Sequence, residues 1–245
     1  MKYLLYFAFV TLLVLPSFCQ AGFIDDLFRE VTSSQQQDFL DNSTIVKGLK
    51  EALATGTERA VIEVAKPDGY FGNQLIKILL PDRIQRAADL LKGIGYQQQV
   101  DAFVLSMNRA AEKAAPKAAG FFGDAIRQMT VEDAKGILSG GETAATRFFE
   151  KKTRSQLFSA FKPTVTKSMN QLGTARAYNE MIGKYETSPL ASLVGISPLD
   201  LDTYVTNKAL DGLFIKVGEE EKKIRANPAA QTTDLLRKVF GSKHP

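Results

Sequence analysis

Two short stretches hold most of the side chains able to do chemistry. Residues 106–116 read Ser-Met-Asn-Arg-Ala-Ala-Glu-Lys-Ala-Ala-Pro. At helical spacing Asn108 and Glu112 share a face, and Arg109 lies within reach of Glu112. Such a set could grip an anion, with the Arg109 guanidinium as a fork and the Asn108 amide orienting the ligand. The plainer reading is a surface ion pair beside a tightly packed alanine face. The second stretch, 147–154, reads Arg-Phe-Phe-Glu-Lys-Lys-Thr-Arg, four basic residues against Glu150 and a net +3 in eight positions. Arg147 and Lys151 there are candidate contacts for an anionic lipid or envelope polymer. The plainer reading places Phe148 and Phe149 in the core, with a solvated basic face opposite.

Much other chemistry is closed to this chain. Its single His is His244 and its single Cys is Cys19, both near chain ends. One copy therefore cannot assemble a His-based triad, a Cys–His dyad or a zinc cluster. No metal site and no cofactor are expected. Asp200, Asp202 and Asp211 imitate a calcium loop, but Val205 stands where that loop requires glycine. Neither a phosphate-binding glycine loop nor a nucleophile elbow occurs; Ser139-Gly140-Gly141 reads as a helix stop. General acid–base work would fall to carboxylates such as Glu112, Glu132, Asp133, Glu142, Asp211 and Glu220, and which of these converge is a tertiary question. No nucleic-acid motif frames the basic run, so no nucleic-acid partner is expected.

The N-terminus gives the compartment. Lys2 precedes an unbroken apolar run of 13 residues, Tyr3–Leu15, and then Pro16-Ser17-Phe18-Cys19-Gln20-Ala21. That order is a secretory signal peptide over 1–21, with cleavage between Ala21 and Gly22. The run reaches about 20 Å as a helix, short of a bilayer core of roughly 30 Å, so no transmembrane span is expected in the mature chain. Lipid attachment at Cys19 is disfavoured by the bulky Phe18 before it. A periplasmic or secreted protein is expected, and its mature chain holds no cysteine for a disulfide. Its 224 residues suffice to bury about 70% of the unfolded surface without staples.

Periodicity reads helix nearly everywhere, with 44% hydrophobic residues to form a core. Helices are predicted over 43–65, 81–92, 96–115, 118–128, 130–138 and 142–161. Pro163 either kinks the last of these or begins a new helix through Leu172. A short helix around Tyr178–Ile182, a long one from Asp200 to Ala226 and a final one carrying Leu235–Phe240 follow. Ala52, Gly56 and Ala60 form a small-residue stripe open to close helix approach. Glu219-Glu220-Glu221-Lys222-Lys223 and Arg225 read as ion pairs on an exposed helix. Leu75–Leu80 is a buried helix or an extended linker, and 187–198, with Pro189, Gly195 and Pro198, is a hinge or loop. The phenylalanines at 121–122, 148–149, 158, 161 and 214 could line a ligand cavity or simply fill a core. The expected fold is all-α: a single compact multi-helix domain of about eight to ten helices over 22–245.

Four segments carry a resemblance: Ser106–Pro116; Met129-Thr130-Val131-Glu132-Asp133-Ala134-Lys135-Gly136-Ile137-Leu138; Thr206-Asn207-Lys208-Ala209-Leu210-Asp211-Gly212-Leu213-Phe214; and Glu219–Ala230. They resemble a family of exported bacterial proteins known as domain of unknown function 4197, over about 48–241. The resemblance implies a bacterial, exported, helical protein of one domain, and brings no activity or site residues with it. The functional expectation is a non-catalytic protein of the cell envelope that binds an apolar or anionic ligand, or another envelope protein. The alternative is a carboxylate-dependent hydrolase or lyase acting on an envelope glycan.

Overall fold

The small residues of the first helix decide how closely the last can approach it. Helix α1 (Asn42–Ala65) presents Leu49, Leu53, Val61 and Val64 to the core and carries the stripe Ala52-Gly56-Ala60. Helix α7 (Leu201–Ala226) lies against that stripe. A Cβ added at Gly56 would come within 3.1 Å of the Ile224 Cδ1 methyl, a tight contact that this side chain would have to relieve by shifting a few tenths of an ångström. The same logic recurs at Gly212 of α7, where an added Cβ would meet the Tyr70 ring at 2.7 Å and Ile76 at 3.1 Å. In a helix interior Gly→Ala is ordinarily stabilising by about 1 kcal/mol. At Gly212 the overlap reverses the sign: Gly212→Ala is expected to destabilise by about 1–3 kcal/mol, read from a urea midpoint at unchanged slope.

Between these two lie α2 (Asp82–Gly93), α3 (Gln97–Ala114), a 3₁₀ turn at Ala115–Lys117, α4 (Ala118–Arg127), α5 (Val131–Ser139) and α6 (Ala144–Gln171). The computed structural model describes residues 42–173, 176, 178–180, 182–183 and 200–226. Among these are seven α-helices and no strand, all within one compact unit spanning residues 40–245. The expected signal segment with Cys19, Ala21 and Gly22, the 187–198 connection and the final helix lie outside the described residues. Arg176, Tyr178–Glu180 and Ile182–Gly183 are helical, as the short-helix pattern predicts.

Local signals set the helix ends. Thr130 accepts from the Asp133 amide at 3.0 Å while the Asp133 carboxylate accepts from the Thr130 amide at 3.1 Å, a complete capping box on α5. Asp200 caps α7 by accepting the Thr203 N–H at 3.0 Å. Gly95 and Gly173, with φ of 98° and 69°, close α2 and α6 in the left-handed region. Pro163 does not end α6, which runs through it. Phe161 and Val165 are anchored in the core on either side, while Ser159 and Pro163 lie on the exposed face, where water serves the carbonyl that proline leaves without an N–H.

The main core cluster joins all seven helices, and Ala52 and Ile224 form a small second one where α1 and α7 meet. Phe122 packs edge-on against Phe149 and Phe214, with centroids 5.2 and 6.1 Å away. Leu75–Leu80 is a linker and not a helix: a turn at Leu75 and Ile76, then irregular chain over 77–80. It alternates strictly, with Ile76, Ile78 and Leu80 buried and Leu75 and Leu79 exposed.

Candidate functional site

The anion-grip residues of α3 meet the chain's own linker. Asn108 is fully buried. Its carbonyl accepts the Ile78 N–H at 2.8 Å, and its amide donates to the Ile78 carbonyl at 2.9 Å and to the Val104 carbonyl at 2.8 Å. One side chain thus serves Ile78 as a neighbouring strand would. Glu112, one turn along, accepts the backbone N–H groups of Tyr70 and Phe71 at 3.2 and 3.3 Å. Arg109 links Glu112, at 2.7 Å, to Asp68, at 2.8 Å. Its hydrogen bond to Glu112 holds its pKa above the ordinary arginine value. Tyr70 adds a hydroxyl donated to the Ala209 carbonyl at 2.6 Å. The shared face of Asn108 and Glu112 is therefore real, and its partner is residues 68–78.

Arg147 and Lys151 lie elsewhere, on the exposed side of α6. Arg147 donates to the Thr143 hydroxyl at 3.0 Å. Nothing brings these two together with the α3 residues. Among the described residues no group of three or more His, Cys, Asp or Glu is placed to hold a metal ion.

The acidic run 219–225 corrects its sequence reading as an exposed helix. Lys216, Glu220 and Glu221 are buried. The Glu221 carboxylate accepts the N–H of Ala145 at 2.9 Å and the N–H and hydroxyl of Thr146, each at 2.8 Å. It thereby caps the N-terminus of α6 from another helix. Arg225 closes the far side, donating to Glu221 and to the Ile137 carbonyl, each at 2.8 Å. Lys216 pairs with Glu63 at 2.9 Å and with Glu219. Glu221 of α7 thus serves donors on α6, while Lys216 and Arg225 serve acceptors on α1 and α5.

Above this network α6 and α7 diverge into an open cleft of about 510 Å³. Its apolar lining comes from Phe214, Ile215 and Gly218. Arg154 stands over it, 5.9 Å from the Phe214 ring centroid, donating to Glu150 at 2.8 Å and Asp211 at 2.5 Å. Lys222 and Glu219 stand at the rim. Gly218 differs from Gly212: an added Cβ would meet only Thr146, at 3.5 Å, an ordinary contact. Alanine would fit there in ordinary contact with Thr146, so the glycine weakens α7 without a steric need. The sequence reading included Asp211 among the acids but missed Glu150, Arg154 and Gly218 as a set. Arg154 stands 57 and 64 positions before Asp211 and Gly218, separations that carry no periodic signal.

Residues 39–241 match the family described as "Protein of unknown function (DUF4197)". The chain belongs to this family. The match covers all seven helices, both faces of the cleft and the α3 face that holds the linker. No curated protein and no solved structure matches the chain.

Three described carboxylates sit below their ordinary pKa: Glu63 through its hydrogen bond from Lys216, Asp133 through the Thr130 backbone, and Asp200 through the Thr203 hydroxyl. A folded-state value below the unfolded one stabilises at pH above the ordinary values of 3.8 to 4.5, and that stability is lost as pH falls through the lowered values. The melting temperature is therefore expected to hold above about pH 5 and to decline below about pH 4. Asp133→Asn should shallow that decline in calorimetric scans.

Proposed function

We propose that this is a non-catalytic ligand-binding protein of the bacterial cell envelope, and that the α6–α7 cleft holds the ligand. The observation that carries the reading is the cleft of about 510 Å³ itself, with Phe214 and Ile215 as an apolar floor under an Arg154 pinned by Glu150 and Asp211. A cleft with that floor and a charged rim suits an amphipathic molecule, its apolar part over Phe214 and its polar end at Arg154 or Lys222. Envelope placement rests on the signal-peptide pattern of 1–21. The non-catalytic reading rests on a sequence whose sole His and Cys stand near its ends.

The test is native mass spectrometry of protein purified from an envelope fraction without detergent, beside Gly218→Leu. The wild type should carry a stoichiometric lipid or other small molecule. Gly218→Leu, which fills the cleft, should lose it at an unchanged melting temperature. A wild type that stays bare after incubation with an envelope lipid extract, or a variant that retains the ligand, would overturn the reading. Glu150 and Asp211 facing one cleft also favours a second reading, the carboxylate-dependent hydrolase or lyase. Turnover of an envelope glycan, abolished by Glu150→Gln, would establish that one instead.

A further inference from the structure

A second hollow, between α4, α5 and α6, shares no residue with the cleft. It holds about 340 Å³, at the lower end of the roughly 300–1,000 Å³ that takes a whole small molecule. Phe121 of α4 and Phe148 of α6 line it, both half-buried, and Thr153 lies buried beneath them. The rest of the lining is mostly polar. Gln128 follows α4, Asp133 belongs to the first turn of α5, and Lys152 and Gln156 stand on successive turns of α6.

Much of the hydrogen-bonding capacity of these groups is open. The side-chain amides of Gln128 and Gln156 have no hydrogen bond among the described residues. Asp133 receives both the N–H and the hydroxyl of Thr130 on Oδ2, at 3.1 and 3.0 Å, which leaves Oδ1. Asp124, also in the lining, is joined by Arg127 at Oδ1 and keeps Oδ2. The Lys152 ammonium lies 5.7 Å from the Phe148 ring centroid, on an exposed side chain. Two acids, Asp124 and Asp133, thus stand with two bases, Arg127 and Lys152, and the hollow carries no net charge.

We infer that this hollow binds a neutral sugar of one or two rings. The balance of charge favours neither an anion nor a cation. A primary amide presents donor and acceptor side by side, which matches neighbouring hydroxyls that are each both donor and acceptor. The ammonium and the open carboxylate oxygens can serve the same hydroxyls as pure donor and pure acceptors. Phe121 and Phe148 offer apolar rings to the C–H face of a sugar, and covering them removes apolar area from water. An acyl chain would instead strip water from the two amides, Asp133 and Lys152 without replacing its hydrogen bonds. A small neutral molecule with hydroxyls around its edge and an apolar face is the occupant that meets both parts of the lining.

The test is saturation-transfer NMR of the full chain with glucose, galactose, N-acetylglucosamine and maltose, beside glutamate, citrate and adenosine as small polar molecules of other classes. At least one sugar should give saturable binding that none of the other three compounds matches. Gln128→Ala combined with Gln156→Ala removes two exposed amides and should weaken that binding by about tenfold per amide, at an unchanged melting temperature. Ala125→Leu, which adds bulk to the wall of the hollow, should abolish it. Gly218→Leu, in the separate cleft, should bind the sugar as the wild type does. Absence of binding by all four sugars, tighter binding of glutamate, citrate or adenosine, or full binding by the double amide variant would each overturn the inference. So would loss of the sugar in Gly218→Leu. The ligand of the α6–α7 cleft is read separately, from what Gly218→Leu releases in native mass spectrometry.

Discussion

Glu221→Ala is expected to cost about 3–5 kcal/mol, because it removes one partner from a buried charged network and leaves the others unpaired. The N–H groups of Ala145 and Thr146 at the start of α6 lose their acceptor, and Arg225 keeps only the Ile137 carbonyl. In a domain of this size that loss lowers the melting temperature by about 6–20 °C. Urea denaturation should show a lower midpoint at unchanged slope, and hydrogen exchange at Ala145 and Thr146 should accelerate more than elsewhere. Glu221→Gln retains one acceptor oxygen and should fall between wild type and alanine. Glu132→Ala, at an exposed position of α5, should change stability by less than about 0.5 kcal/mol. If Glu221→Ala behaves like Glu132→Ala, the cross-helix cap does not contribute.

Asn108→Asp is the second large effect, expected at about 3 kcal/mol or more and exceeding Asn108→Ala. The native amide donates to the carbonyls of Ile78 and Val104 while its oxygen accepts the Ile78 N–H. Aspartate preserves shape but turns both donor contacts into oxygen facing oxygen, and its charge would be buried without a counterion. Alanine only leaves the Ile78 groups unmet. Both variants should loosen Leu75–Leu80 first, since Asn108 is what holds that linker in place. Trypsin cleavage at Lys77 under native conditions should therefore rise in both, most in Asn108→Asp. Cleavage rates equal to wild type would mean that the buried apolar residues of the linker suffice without Asn108.

The two variants separate what sequence could supply from what it could not. Helix ends depend on residues within four positions of one another, and so the Thr130–Asp133 box, the Asp200 cap and the Gly173 stop were all readable along the chain. Core faces repeat with the helical period, which made the stripe Ala52-Gly56-Ala60 and the burial of Phe149 equally accessible. The α3 residues were half legible. Their common face and the Arg109–Glu112 pair follow from spacing, but nothing local says that this face meets residues 68–78.

Where a residue is satisfied by a partner far along the chain, sequence reasoning misread it or saw only one member. Glu221 looks like a solvated acid in a charged run, and becomes a buried cap only once α7 crosses the start of α6, some 75 residues away. The cleft arises from Glu150, Arg154, Asp211 and Gly218 on two helices whose relative placement neither helix encodes alone. Charge on α6 was visible over 147–154, but whether Pro163 breaks that helix was left open by the sequence. Tertiary packing decided that by anchoring Phe161 and Val165 on one side and leaving the proline in water on the other. Sequence by itself determined the all-α class, most helix limits and the family, because period, caps and motif are local properties. The cleft and the buried acids were decided by the tertiary structure, because they depend on which distant surfaces exclude water together.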